Sequence, residues 1–272
     1  MQHGRTAVTK TSERRTPGAT KRAGDLTQDL FHLFPYHFVA SGLSSESRIL
    51  EVGFGDGYGA EIVAGTVDEY VGVDVSPDAL ELASAKHVGS NVRFMLYDGT
   101  TLPFDTESFD CVISFHVLEH LSDPESFLAE VGRVCRPGGR IVLVTPNATI
   151  RLNPGERPWN RFHVQEFSGD ELERLLSSRF ARVTVMGIAG NEAMNGLERA
   201  RVARARRISK LDPLGLRYRL PERLMLRVRR LLMRATGGLP ADTTGTAFTL
   251  DDVGLLEGDV REAIHLLAVV ER

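Results

Sequence analysis

Residues 49–59 read I-L-E-V-G-F-G-D-G-Y-G, and few folds can use such a segment. Ile49, Leu50 and Val52 form an apolar run of the kind that makes a strand buried in a parallel sheet. Glycines follow at 53, 55, 57 and 59, and Asp56 to Ala64 predicts a helix. A glycine-rich turn between strand and helix lets a ligand reach the backbone, because no Cβ stands in the way. The spacing is E-x-G-x-G-x-G. It differs from the G-x-G-x-x-G of dinucleotide folds and lacks the Lys-Ser/Thr end of a phosphate loop. The turn therefore suits a nucleoside ligand without a pyrophosphate. The plain alternative is a glycine-rich turn in an ordinary α/β fold.

The downstream order sharpens this reading. Tyr70 to Val75 predicts a second strand ending at Asp74, about 20 residues beyond the glycines, where such folds set a carboxylate on ribose hydroxyls. Val92 to Tyr97 predicts a third strand running into Asp98-Gly99. Phe109 to Phe115 predicts a fourth. Arg140 to Val144 predicts a fifth, after the turn Arg136-Pro137-Gly138-Gly139. Ala181 to Ile188 reads as the sixth strand and Ala263 to Val270 as the last. Leu26 to Ala40 predicts a helix, in which Pro35 argues for a break or kink. Ser168 and Glu171 have capping-box spacing at the start of another helix.

Taken in order, L-E-V-G-F-G-D-G (50–57), V-G-V-D-V-S (71–76), Y-D-G-T-T-L-P-F (97–104), F-D-C-V-I-S-F-H-V-L-E-H-L (109–121) and R-V-C-R-P-G-G-R-I-V-L-V-T-P-N (133–147) resemble the class I S-adenosylmethionine-dependent methyltransferases over roughly residues 30–190. V-L-E-H-L and R-F-H-V-Q-E-F-S (161–168) are similar to segments of quinone-biosynthesis and glycan-associated members. The resemblance implies a doubly wound, Rossmann-like α/β fold with a seven-stranded sheet that closes in a hairpin between its last two strands. About 70 residues separate those strands here. The expected organisation is therefore a basic tail (1–24), a cofactor-binding domain (25–190 and 251–272) and a basic helical insertion (191–250) before the last strand.

The resemblance also implies the cofactor, S-adenosyl-L-methionine, and its contacts. Glu51 and the backbone at Gly53, Gly55 and Gly57 take the methionine end, and Asp74 takes the ribose. Asp98 and Gly99 lie at the adenine, with Val75 and Phe115 flanking the ring. The candidate bases are His116, His120 and His163. Many relatives carry an acid where this chain has His116. Imidazole titrates near neutrality, which suits proton removal from a hydroxyl. For His120 and His163 the competing reading is a hydrogen bond that pins local structure. The H-x-x-E-H spacing of residues 116–120 matches one metalloprotease signature, but in this context no metal site is expected.

Composition bounds the rest. The chain has 272 residues, is 42% apolar and can bury a full core. Cys111 and Cys135 fall in apolar patterns and suggest neither a disulfide framework nor metal ligands. No apolar h-region opens the sequence and no run of 18 apolar residues occurs, so a cytoplasmic location is expected. The net charge of −3 conceals an asymmetry. Residues 1–24 carry +5, residues 197–236 carry +10, and the remainder carries −18. The tail is too poor in apolar residues to offset its ordering entropy and reads as disordered. In the insertion, Arg199 to Ser209 and Pro221 to Ala235 read as helices. The second sets Leu224, Val228, Leu231 and Leu232 on one face against Arg223, Arg227, Arg230 and Arg234. Such a segment either packs on its own domain or meets an anionic partner, with an anionic membrane surface foremost. The expected activity is methyl transfer to an oxygen of a small-molecule, glycan or lipid-linked acceptor. The alternatives are an RNA methyltransferase, disfavoured because no N/D-P-P-Y/F signature follows the fourth strand, and a non-catalytic cofactor-binding protein.

Overall fold

A computed structural model describes residues 23–86, 89–153, 155–210 and 248–272. The expected basic tail, apart from its last two residues, and the second insertion helix fall outside the described residues. One sheet organises the rest, in the order β3-β2-β1-β4-β5-β8-β6-β7. Its parallel half comprises β1 (Arg48–Val52), β2 (Glu69–Asp74), β3 (Val92–Leu96), β4 (Phe109–Phe115) and β5 (Cys135–Pro146). β8 (His265–Glu271) lies antiparallel between β5 and β6 (Arg182–Gly190). This is the expected doubly wound arrangement with one strand more. β7 (Val253–Leu256) pairs with Gly187–Gly190 at the edge, and V-G-L-L is too short and too glycine-broken to announce a strand.

Each inner strand is buried on both faces, and its residues alternate between two cores, as a period of two requires. Leu50, Val52 and Val112 face Leu128, Val131, Leu172 and Leu176 of α4 (Pro124–Val134) and α6 (Gly169–Ser177). Ile49, Cys111 and Ile113 face Phe31, Tyr36 and Val39 of α1 (Ala23–Ser41), together with Ala60 and Val63 of α2 (Tyr58–Val63). A capping box at Ser168 and Glu171 opens α6 as expected. α1 runs unbroken through Pro35. The ring costs one backbone hydrogen bond and crowds the preceding turn, yet Phe31, Tyr36 and Val39 are buried on either side of it, and that burial holds the helix together. β5 is longer than expected. Its pairing with β4 shifts between Phe109 and Cys111, so the Arg136–Gly139 turn is an irregularity within the strand, tied to Arg272 through Gly138 and Gly139.

α7 (Glu192–Lys210) contains the first predicted insertion helix and packs on the domain rather than standing apart from it. Met194 and Val202 are buried. The Arg206 guanidinium donates to the carbonyls of Ile150, Arg151 and Leu152. Arg201 pairs with Glu198, and Arg199 with Glu192 and Glu262. Among the described residues no helix is long and apolar enough to cross a membrane.

Candidate cofactor and acceptor site

The glycine turn leaves β1 at the C-terminal edge of the parallel strands, where open α/β sheets bind ligands. Gly53 has φ +89°, and a Cβ there would stand 2.3 Å from Val117 Cγ2. Gly55 has φ +60° with open space where a Cβ would point, which is the room a ligand needs to lie against the backbone. Gly57, also left-handed, caps α2.

Glu51 ends the buried run and is fully buried. The Tyr36 hydroxyl of α1 donates to its Oε1 at 2.5 Å. Its Oε2 is buried with no hydrogen-bond partner. Burial outweighs the Tyr36 hydrogen bond and, helped by the charges of Asp74 and Asp56, pushes the Glu51 carboxyl up to about 8. The Tyr36 phenol is also held well above its ordinary range, by burial first and then by Glu51. Phe115 meets the Tyr36 ring edge-to-face at 4.8 Å, which sets it beside the ring whose hydroxyl holds Glu51. Tyr36 was invisible to sequence reading because it lies on a helix preceding every motif; its one signal is an aromatic in the apolar stripe of that helix.

Asp74 ends β2. One of its carboxylate oxygens accepts from Gly55 N–H at 3.0 Å and the other from Ser76 N–H at 2.9 Å, so it fixes the glycine turn from the neighbouring strand. Val75 follows, half-buried. Asp98 is exposed, and its Oδ1 accepts from the N–H groups of Thr100 and Thr101. This turn chemistry holds its carboxyl below the ordinary range. Gly99 beside it is buried at φ +79°. Tyr97 stands near both acids, and its phenol is pushed upward by burial, then by Asp74 and Asp98.

The three candidate histidines divide into two groups. His116 sits just past β4 in the left-handed region, φ +57°, a conformation that costs a non-glycine residue on the order of 1–3 kcal/mol. Its N–H donates to Val144 O, its Nδ1 lies 3.3 Å from Glu119 Oε1, and its ring stacks on His32 and meets His265 at centroid distances of 4.3 and 4.9 Å. His265 is buried and held well below the usual imidazole range by burial, His116 and His32.

His120 and His163 meet on the other side of Glu119, with ring centroids 4.9 Å apart and planes at 85°. His120 Nδ1 lies 3.0 Å from Phe162 O. His163 Nδ1 lies 2.6 Å from Glu166 Oε1, and Arg151 holds Glu166 at 2.8 and 3.1 Å. Glu119 Oε2 accepts from the Thr145 hydroxyl at 3.0 Å. Burial opposes ionisation of Glu119, but the His116 hydrogen bond and the charges of His116, His163 and His120 outweigh it and hold the carboxyl down to about 2. One donor atom from each of Glu119, His120 and His163 lies within 4.8 Å of the other two. Sequence reading singled out the histidines, and Glu119 within the H-x-x-E-H spacing, but not Glu166, Arg151 or Thr145.

Residues 50–143 match the family model described as a methyltransferase domain. A probable S-adenosylmethionine-dependent methyltransferase of Mycolicibacterium smegmatis is 36% identical over 131 residues, 48% of this chain and 50% of that protein. A phthiotriol/phenolphthiotriol dimycocerosates methyltransferase of Mycobacterium leprae is 32% identical over 163 residues, 59% of this chain and 57% of that protein. The YcgJ protein of Bacillus subtilis shares the fold, with a TM-score of 0.52 and 20% identity over 89% of this chain and 99% of that one. The chain spans about half the length of the curated relatives it matches. With the strand order and the glycine turn already described, these likenesses identify a methyltransferase domain over residues 50–143 and support its reading as a class I S-adenosylmethionine-dependent one. S-adenosyl-L-methionine is the cofactor that this class implies.

Proposed function

We propose that this protein transfers the methyl group of S-adenosylmethionine to an oxygen of a small-molecule, glycan or lipid-linked acceptor. The observation that carries the reading is Glu51 Oε2, a buried carboxyl oxygen without a partner beside a glycine turn that is open at Gly55. A buried polar atom left without a partner costs about 1–3 kcal/mol, and the ammonium of the methionine end would repay it. The same turn would receive the methionine carboxylate on its backbone, and Asp74 would exchange part of its hold on the turn for the ribose hydroxyls. Val75, Asp98 and Gly99 border the adenine position, while Phe115 supports the methionine end through Tyr36. When bound, the cofactor supplies a methyl group on a sulfonium, whose leaving group is already good. The chain's own task is alignment and readying the acceptor oxygen. The Glu119, His120 and His163 group is assigned to the acceptor side, a reading supported by Val117, which precedes the turn carrying Glu119 and His120 and lies against Gly53.

Support for a lipid-linked acceptor comes from one relative named for methylating a lipid and from the basic segment. The described arginines 199, 201 and 206 are engaged by their own domain. The attraction for an anionic membrane surface is therefore assigned to residues 211–236, which hold seven arginines and two acids and contribute about 1 kcal/mol per basic residue near such a surface. Isothermal titration with S-adenosylmethionine and S-adenosylhomocysteine tests the core of the proposal, and a folded sample that binds neither refutes it. Transfer of labelled methyl to RNA but not to lipid or glycan extracts would replace the acceptor class.

A further inference from the structure

We propose that Glu119, His120 and His163 form a site for one divalent transition-metal cation, with an open position for the acceptor oxygen. The site's existence stands on geometry alone; its use in catalysis rests on the methyl-transfer reading above.

The donor set is two imidazoles and one carboxylate, a combination that suits zinc and its first-row neighbours and leaves coordination positions vacant. The three donor atoms already lie within 4.8 Å of one another. Around a four-coordinate ion with bonds of about 2.0–2.2 Å they would stand about 3.4 Å apart, a closure that side-chain rotation supplies. Both rings are also oriented from behind. Nδ1 of His120 is tied to the Phe162 carbonyl and Nδ1 of His163 to the Glu166 carboxylate. Both partners are acceptors, so each Nδ1 carries the proton and the ring's lone pair sits on Nε2. A carboxylate or carbonyl behind each ring is how metal-binding histidines are held. Arg151 in turn fixes Glu166.

The two segments that carry the donors are stitched together. Val164 and Gln165 N–H donate to Glu119 O, and the Gln165 side-chain amide donates to Leu121 O. A general base needs one imidazole. Here a second imidazole meets the first edge-on beside a buried carboxylate, and that arrangement gives a cation a reason to bind. An acceptor hydroxyl in the open position would ionise more easily. Its proton would pass to solvent and its oxygen would take the methyl group. The C–S bond would break with its electron pair going to sulfur, and S-adenosylhomocysteine would leave as a neutral thioether.

The test uses the full chain, stripped with EDTA and dialysed. Cobalt(II) is titrated while its visible absorption is followed, zinc(II) is titrated by calorimetry, and S-adenosylhomocysteine binding is measured in every sample. One equivalent of ion is expected in the wild type. His120→Ala and His163→Gln should each weaken ion binding by more than tenfold. Glu166→Gln, which loosens the His163 ring and removes the charge that faces Arg151, should weaken it about tenfold. All should retain S-adenosylhomocysteine binding; if His120→Ala loses it, His163→Gln carries the comparison. Wild type that binds S-adenosylhomocysteine but no ion overturns the site, as does a His163→Gln variant with undiminished ion affinity. Ion binding without S-adenosylhomocysteine binding leaves the site standing and refutes the cofactor reading. Methyl transfer indifferent to EDTA overturns the ion's role at the acceptor.

Discussion

Replacing Glu51 by Gln should make the unliganded protein more stable as pH rises, while removing its grip on the cofactor. Glu51 is fully buried and its carboxyl is pushed from 4.5 up to about 8. A carboxyl whose native value lies above its unfolded value keeps its proton in the folded state. The folded state therefore loses stability as pH rises through the window from 4.5 to about 8. Gln keeps the Tyr36 hydrogen bond and has no charge to lose. Both side chains present one buried polar atom without a partner, so the offset between the two proteins is uninformative and the slope is decisive. Between pH 5 and pH 7 the stability difference should grow in favour of Glu51→Gln by about 3 kcal/mol, at about 1.4 kcal/mol for each unit. Urea unfolding at pH 5, 6, 7 and 8 measures it, and titrating groups remote from Glu51 cancel between the proteins. S-adenosylhomocysteine should reverse the ranking. Its ammonium would ionise Glu51, so binding to the wild type at pH 7 should release close to one proton, seen as a calorimetric enthalpy that varies with the buffer. Parallel stability curves, or a binding enthalpy indifferent to buffer, would refute the assignment of Glu51 as a carboxyl kept neutral for an incoming cation.

Asp74→Ala should weaken S-adenosylmethionine binding by about 1.5–3 kcal/mol, the scale of hydrogen bonds to a charged group; unchanged affinity in calorimetry removes Asp74 from the site. Gly55→Ala meets no protein atom but must hold φ +60°, so about 1 kcal/mol of stability should be lost while S-adenosylhomocysteine affinity falls more steeply; an unchanged affinity means that no ligand lies on that turn. Glu166→Ala strands the buried Arg151 guanidinium and should cost about 3–5 kcal/mol in urea unfolding; a loss under 1 kcal/mol would mean that Arg151 finds another partner. Changing the arginines of 211–236 to Gln should abolish salt-sensitive sedimentation with anionic vesicles, and undiminished sedimentation by a variant that still binds cofactor excludes that surface.

What the sequence disclosed followed the range of the signals. Strand identity is written locally, and Ile49–Val52, Tyr70–Asp74 and Phe109–Phe115 lie where their apolar runs placed them. The glycine turn and Asp74 were legible because spacing along one βαβ unit fixes their meeting. Tyr36 was not, since its link to Glu51 depends on how α1 lies across the sheet. The Glu119, His120 and His163 group was half legible. His120 and Glu119 are chain neighbours, but His163 joins them only through hydrogen bonds between two loops, which no periodicity records. Pro35 does not break α1 because a local rule about helices yielded to burial on both sides of it. The short edge strand β7 was missed because four residues with a glycine carry little pattern.

The position of β8 has a consequence for how this molecule is made. It lies between β5 and β6 and is hydrogen-bonded to both along its length, so those two strands, adjacent along the chain among the strands of the sheet, cannot be joined until a strand synthesised much later arrives. At about 5–20 residues per second, β5 waits on the order of ten seconds with one edge unpaired. The parallel half can gather during synthesis, but the antiparallel half can only close once β8 has left the ribosome. Any nascent-chain pause between β6 and β8 prolongs the time for which that edge is open to a neighbouring chain.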